Sequence, residues 1–249
     1  MPQPQIAFLT GKPWVVGSLG DAAALRSADA SGTLERCDIA EIRLDGLLAE
    51  GTEPARALWQ HLAGVPLLFT ARRHDEGGAL ELAAAQRSDL LDQALAEAAF
   101  IDVEVASRDS MRDVLAAAQR RGIPWIASFH DFDKLPATAL LAEAAERARG
   151  AGAAVFKVAA KLNVLADVLR LAEFQLSDQG LPLATMGMGA LAPVSRLLCA
   201  QCGSVLNYGY LGDSPTAPGQ WDCGLLRQAI KRLAPWPGRS ASSAGPALG

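Results

Sequence analysis

The sequence predicts a single α/β domain folded as a (β/α)8 TIM barrel, and three observations lead there. Short apolar runs rich in Val, Ile and Phe recur at even spacing, longer Ala/Leu/Arg/Glu segments of helical period separate them, and about eight such pairs fill the 249 residues. That alternation specifies parallel strands joined by crossover helices. Eight pairs favour closure over an open doubly wound sheet, because a barrel leaves no edge and commonly uses roughly 250 residues. A dinucleotide-binding sheet is disfavoured on its own signal. Val16-Gly17-Ser18-Leu19-Gly20 lacks the Gly-x-Gly-x-x-Gly spacing, and no acidic ribose partner is in place.

In chain order the expected strands are 13–19, 37–45, 65–73, 100–105, 123–130, 153–161, 182–188 and 204–211. The clearest helices are 84–99, 107–121, 136–149 and 163–179, with a last one at 225–233. Gly122, Gly150 to Gly152 and Gly180 stand where helices should stop, as a left-handed terminal residue requires. The barrel is expected to span residues 1–234. Residues 235–249, rich in Pro, Gly, Ser and Ala, read as a disordered tail.

Composition excludes several classes. Half the residues are hydrophobic, a fifth are charged, and the net charge is −4 with scattered Lys and Arg, so no basic face is offered to nucleic acid. Four cysteines are too few for a disulfide-dense secreted fold, and Met-Pro-Gln-Pro-Gln lacks the start of a signal peptide. No window approaches the ~18 uninterrupted apolar residues of a membrane span. A soluble, cytoplasmic protein is expected.

In such barrels chemistry gathers at the C-terminal ends of the strands. The second strand ends Glu41-Ile42-Arg43-Leu44-Asp45, whose period of two puts three charged side chains on one face; a closing ion-pair network is the plain alternative. The third ends in Arg72 and Arg73 before His74-Asp75-Glu76-Gly77-Gly78, where a guanidinium fork suits a carboxylate or vicinal hydroxyls. Lys157 is the most informative residue, because it interrupts an otherwise buried apolar strand, Ala153 to Ala160. Burial lowers a lysine pKa and yields the neutral amine that adds to a carbonyl; snorkelling or pairing with a carboxylate is the bland reading. Lys161, nearer the loop, reads as solvated.

His130 closes the fifth strand beside Lys157 and is a candidate for proton transfer. His61, on a helix, and His74, in a loop, are not expected to take part in chemistry. Three dispersed histidines and the isolated pair Cys199 and Cys202 argue against a metal site. Met186 and Met188 share an inner face and offer an adaptable apolar wall, though core filling explains them as well. Pro193 starts a helix that carries Ser195 and Arg196 toward an anion. The last loop, 213–220, is long enough to fold over a ligand.

Taken together, these segments resemble the type I 3-dehydroquinate dehydratases, Schiff-base barrels of the shikimate pathway. The resemblance rests on Glu-Ile-Arg-Leu-Asp at 41–45, Phe-Thr-Ala-Arg at 69–72, Glu-Gly-Gly at 76–78 and Ile-Asp-Val-Glu at 101–104. It continues with His-Asp-Phe at 130–132, Phe-Lys-Val-Ala at 156–159, Met-x-Met at 186–188, Ser-Arg at 195–196 and Ala-Pro-Gly-Gln at 217–220. It implies that Lys157 forms an imine with the ketone of 3-dehydroquinate and that His130, oriented by Glu76, moves the protons. It implies that Arg196 holds the substrate carboxylate, while Glu41, Arg43, Arg72 and Gln220 bind hydroxyls or support the groups that do. Met186, Met188 and Thr216 complete the substrate contacts. No cofactor and no metal are implied, and a cytoplasmic homodimer is.

Thr216 stands where the family usually has serine, and Gly187 and Gly189 are expected to loosen the methionine wall. Two rivals stand beside this reading. One is a class I aldolase, whose Gly-rich loops would bind a phosphate; the other is a barrel without activity, kept for binding.

Overall fold

The structure is a computed structural model and describes residues 12–233. The expected tail, 235–249, and both ends of the expected 1–234 domain lie outside the described residues. Eight strands are present: β1 (Trp14–Leu19), β2 (Ile39–Arg43), β3 (Leu67–Thr70), β4 (Phe100–Glu104), β5 (Trp125–Asp131), β6 (Val155–Lys161), β7 (Leu183–Met188) and β8 (Leu206–Tyr210). Their hydrogen-bonded order is β7-β6-β5-β4-β3-β2-β1-β8, with parallel pairing throughout. Sequential order with β8 beside β1 is that of a barrel, and it has no switch point of an open doubly wound sheet. The seam between β7 and β8 is thinner than the other joins. There Val205 N–H donates to Leu183 C=O at 2.9 Å, and the buried Ser204 hydroxyl accepts from Thr185 N–H at 3.2 Å.

The helices are α1 (Ala22–Ser27), α2 (Ala30–Arg36), α3 (Leu44–Ala49), α4 (Ala84–Ala94), α5 (Arg112–Arg120), α6 (Thr138–Gly150), α7 (Leu165–Leu176), α8 (Ala192–Gln201) and α9 (Cys223–Lys231). Asp21, Asp29 and Asp222 cap α1, α2 and α9 by accepting from backbone N–H groups three residues on. After α5 and α6 the chain turns through left-handed Gly122 and Gly152, whereas Gly150 is still helical. Several expected elements are shorter than the pattern suggests, among them the third strand, 65–73, which runs Leu67–Thr70, and the helix 163–179, which runs Leu165–Leu176. The 84–99 helix stops at Ala94, because Ala99 N–H must reach Leu67 C=O and start the β4 pairing. Residues 107–111 turn before α5 begins at Arg112.

The second strand also ends early. Leu44 and Asp45 open α3, so Asp45 does not extend the strand face; its carboxylate turns back to bind Arg43 and the backbone N–H groups of Arg72 and Ala79.

Inside the barrel the side chains form layers, since residues two apart on a strand share a face. The lowest layer is apolar and fully buried, one residue per strand: Val16, Ile39, Leu68, Phe100, Ile126, Val155, Ala184 and Leu206. Two residues further along each strand stand Ser18, Glu41, Thr70, Asp102, Ser128, Lys157, Met186 and Tyr208, all buried and all polar except Met186. A separate, larger cluster, including Phe69, Phe156, Leu171 and Phe174, packs the helices onto the outside. Fully burying one such side chain stabilises by about 1.5–3 kcal/mol, so these two apolar layers can hold a charged one between the lower core and the mouth.

Candidate active site

One cavity opens above the polar layer at the C-terminal mouth, and all eleven expected site residues line it. They are Glu41, Arg43, Arg72, Glu76, His130, Lys157, Met186, Met188, Arg196, Thr216 and Gln220. Lys157 forms the floor. Its Nζ donates to Asp102 Oδ2 at 3.0 Å and faces the Tyr208 ring, 4.3 Å from its centroid. Burial lowers the Lys157 pKa below the usual lysine range, and Asp102 opposes this only in part. Burial would by itself raise Asp102, but Arg72 and Lys157 overcome it and hold the carboxyl at about 2.

Arg72 lines the cavity and is tied into the charges beneath it. Its donors go to Asp102 at 2.8 Å, to Glu104 at 3.0 Å and to Ser128 at 2.6 Å. Arg87 on α4 binds the other Glu104 oxygen at 2.6 Å, so a chain of buried charges runs from α4 to Lys157. Glu41 is likewise engaged, with its two oxygens accepting from Ser18 at 2.5 Å and Thr70 at 2.8 Å. Arg43 donates to Asp45 and to Gly77 C=O.

His130 stands two residues above Ser128 on β5, with its main chain paired to Ala159 of β6. Its Nδ1 lies 3.0 Å from Glu76 Oε2, and the same oxygen accepts from the His130 backbone N–H at 2.9 Å. Burial, then the nearby cations Arg72, Lys157 and Arg43, depress His130 well below its ordinary range, so the imidazole is neutral and can act as a base. Burial also raises Glu76 to about 7, with Arg72 opposing. Glu76 sits in a 3-10 turn, His74–Glu76, ended by left-handed Gly77. Gly78 is required there too, because a Cβ would lie 2.3 Å from Arg72 C=O.

The raised Glu76 carboxyl carries a stability consequence. Between about pH 4.5 and 7 the folded protein retains a proton that the unfolded chain releases, so stability falls as pH rises through this window. Glu76→Gln removes that loss, and the variant should gain on the order of 2–3 kcal/mol over the parent above pH 7 and nothing below pH 4.5. Urea unfolding of both proteins on either side of the window measures this; equal stabilities at high pH would show that Glu76 ionises without penalty.

Arg196 differs from the other arginines. It is buried, Nη1 donates to Tyr208 C=O at 2.6 Å, Nη1 lies 3.7 Å from Met186 Sδ, and Nε has no partner among the described residues. No salt bridge to a carboxylate is present for it among the described residues. Burial pulls it down to about 10, still a cation at neutral pH. A buried cation without an anion, lining the same cavity as an amine, is what a carboxylate ligand would complete.

The loop 213–220 covers the site. Gln220 Oε1 accepts from both the backbone N–H and the hydroxyl of Thr216, at 2.9 and 2.8 Å. The extra methyl of Thr216 fits because Gly20 lies opposite; a Cβ on Gly20 would stand 2.7 Å from it. The expected loosening by Gly187 is not seen. Met186 and Met188 are buried, and Gly187 is demanded by packing, since a Cβ would meet Leu162 and Ser195 at 2.4 Å. The glycine that suggested a phosphate loop is thereby explained by close approach of α8.

A family model described as type I 3-dehydroquinase matches residues 21–234. The chain belongs to this family. The type I 3-dehydroquinases are hydro-lyases, and this member is an enzyme of that class. A 3-dehydroquinate dehydratase of Shouchella clausii is 32% identical over 221 residues, covering 84% of this chain and 86% of that protein. The crystal structure of 3-dehydroquinate dehydratase from Geobacillus kaustophilus superposes with a TM-score of 0.78 at 26% identity, covering 88% of this chain and 90% of that one. A type I 3-dehydroquinate dehydratase from Clostridium difficile with covalent modified comenic acid gives 0.74 at 26% identity, over 89% and 92%.

Within this type I 3-dehydroquinase several site residues had no individual role in the sequence reading. Asp102, Ser128, Ser18 and Tyr208 belong to the polar layer, and Phe132 packs over Gly77 at the mouth. A signal for the first four was available: each stands two residues after a fully buried apolar residue on its strand. His61 and His74 are exposed, and Lys161 is exposed at the strand end, as its reading as solvated expects. Among the described residues no helix is long and apolar enough to cross a membrane.

Proposed function

We propose that the protein dehydrates 3-dehydroquinate to 3-dehydroshikimate through an imine on Lys157, serving the shikimate pathway and aromatic amino acid biosynthesis. The observation that carries this reading is the pairing of a buried, pKa-lowered amine with a neutral imidazole whose Nδ1 is taken by Glu76. Removing water β to a ketone requires loss of an α-proton. An iminium acidifies that carbon by drawing its electrons toward nitrogen. With Nδ1 engaged, His130 presents Nε2 as the base for that proton and then returns it to the departing hydroxyl. Water finally hydrolyses the imine and frees Lys157. The covalently modified ligand named for the Clostridium difficile relative is consistent with such a nucleophile.

Arg196 is proposed to hold the substrate carboxylate. Arg196→Ala should weaken binding by about 2–5 kcal/mol, the range for truncating one partner of a buried charge pair. It should appear chiefly as a raised KM, with folding retained because the guanidinium has no internal carboxylate to lose. Parent-like binding in the variant would move the carboxylate to Arg43.

The reaction is tested by following the conjugated enone product in the ultraviolet with purified protein and 3-dehydroquinate. Turnover that persists in chelator supports the reading; loss in chelator and return with a divalent ion would overturn the imine route.

We also propose that the enzyme works as a homodimer in the cytoplasm. Leu165 and Leu169 on α7 are 69% and 61% exposed, with Val164, Leu176 and Val194 exposed beside them or on neighbouring turns. That apolar surface suits burial in an assembly. The four cysteines of the chain form no disulfide, as suits a reducing compartment. Light scattering on the eluted protein should give twice the chain mass; a monomer would refute the dimer.

A further inference from the structure

Tyr208 is the one oxygen of the polar layer that the network leaves out. Its hydroxyl is buried and has no hydrogen-bond partner among the described residues. Around it the pairing is complete. Glu41 accepts from Ser18 and Thr70, and Asp102 accepts from Ser128, Arg72 and Lys157. A buried hydroxyl without a partner costs stability, so packing alone would favour phenylalanine here. Tyr208 also lines the cavity, its ring faces Lys157 Nζ at 4.3 Å, and its backbone carbonyl holds Arg196. The ring therefore borders the amine, and the backbone of the same residue anchors the free cation. Burial, with Glu41 and Asp102 adding to it, keeps Tyr208 well above the ordinary phenol range, so it is a donor at any working pH.

We propose that the Tyr208 hydroxyl is a further catalytic group, donating a hydrogen bond to the substrate's carbonyl oxygen while Lys157 adds to the carbonyl carbon. The inference rests on the imine reading and deepens it. The Lys157 ammonium first gives a proton to His130. Its lone pair then forms the C–N bond, and the carbonyl π pair moves onto oxygen, where Tyr208 stabilises the developing charge. That oxygen takes the next proton from nitrogen to give a carbinolamine, and His130 returns the first proton as the C–O bond breaks. Of the three ammonium protons, one stays on the iminium nitrogen and two leave in the water. Tyr208 keeps its own proton throughout.

Tyr208→Phe removes only the oxygen. With 3-dehydroquinate and rapid borohydride quench, the rate of imine capture should fall about 10- to 100-fold, at or below the ~10²–10³ associated with one lost oxyanion donor. The unliganded variant should melt at or above the parent temperature, because the idle hydroxyl is gone. Capture at the parental rate would overturn the proposal. So would a slower rate accompanied by a lower melting temperature, which is the mark of a packing residue. If the parent itself forms no imine with 3-dehydroquinate, the underlying reading of the site falls, and that is seen before any variant is compared.

Discussion

Lys157→Met should reduce turnover of 3-dehydroquinate to background and abolish covalent capture by borohydride. The parent should acquire one substrate-sized adduct, located on Lys157 by peptide mapping, because reduction converts the iminium to a stable secondary amine. Lys157 is poised for this by burial, which lowers its pKa, and by Asp102 at 3.0 Å, which holds Nζ at the cavity floor. Lys161, four residues along, is exposed and does not line the cavity, so it should stay unmodified. The methionine keeps the volume, and Asp102 retains Arg72 at 2.8 Å and Ser128 at 2.6 Å, so the barrel should persist. An adduct on Lys161, or residual capture in the folded variant, would end the assignment.

His130→Ala should lower turnover at least 10²- to 10⁴-fold, the span associated with one general acid–base group, since the same imidazole serves several steps. The nucleophile remains, so the imine should still form slowly with water carrying protons. Once formed it can neither eliminate nor hydrolyse quickly, and a covalent complex should accumulate, visible by mass spectrometry without borohydride. Near-parental turnover would make His130 structural and Glu76 the first alternative base. In the parent, Glu76 must be ionised to keep Nδ1–H and leave Nε2 free. Its carboxyl is raised to about 7, so the rate should climb as pH rises through neutrality. The titration belongs to the His130–Glu76 pair, and in Glu76→Gln that limb should vanish.

Local pattern was enough for much of this molecule. Strand–helix alternation specified the barrel, because periods of 2 and 3.6 each present one face to a core. Lys157 and His130 were legible because Lys157 interrupts an apolar strand and His130 closes one at its C-terminal end, where a barrel collects its polar groups. Arg196, Met186 and Thr216 were legible only in their order and spacing along the chain.

Other assignments depended on contacts between distant segments. Asp45 read as a third strand residue, yet the chain turns into α3 there and its carboxylate caps Arg72 and Ala79. Arg72 read as a residue that binds a substrate hydroxyl or supports one that does, and only the fold shows what holds it, since Asp102, Glu104 and Ser128, on two other strands, accept from it. Gly187 read as looseness, and the approach of Leu162 and Ser195 makes it a necessity. The place of Tyr208 in the polar layer had a local signal, but its unpaired hydroxyl had none, because that is defined by the neighbours it lacks. Thus the sequence by itself determined the architecture and singled out Lys157 and His130 as candidates, since periodicity and an ionisable residue in an apolar run are local properties. Only the tertiary structure decided which charges are spent on one another and which remain free for a ligand, since pairing depends on distances between strands remote in the chain.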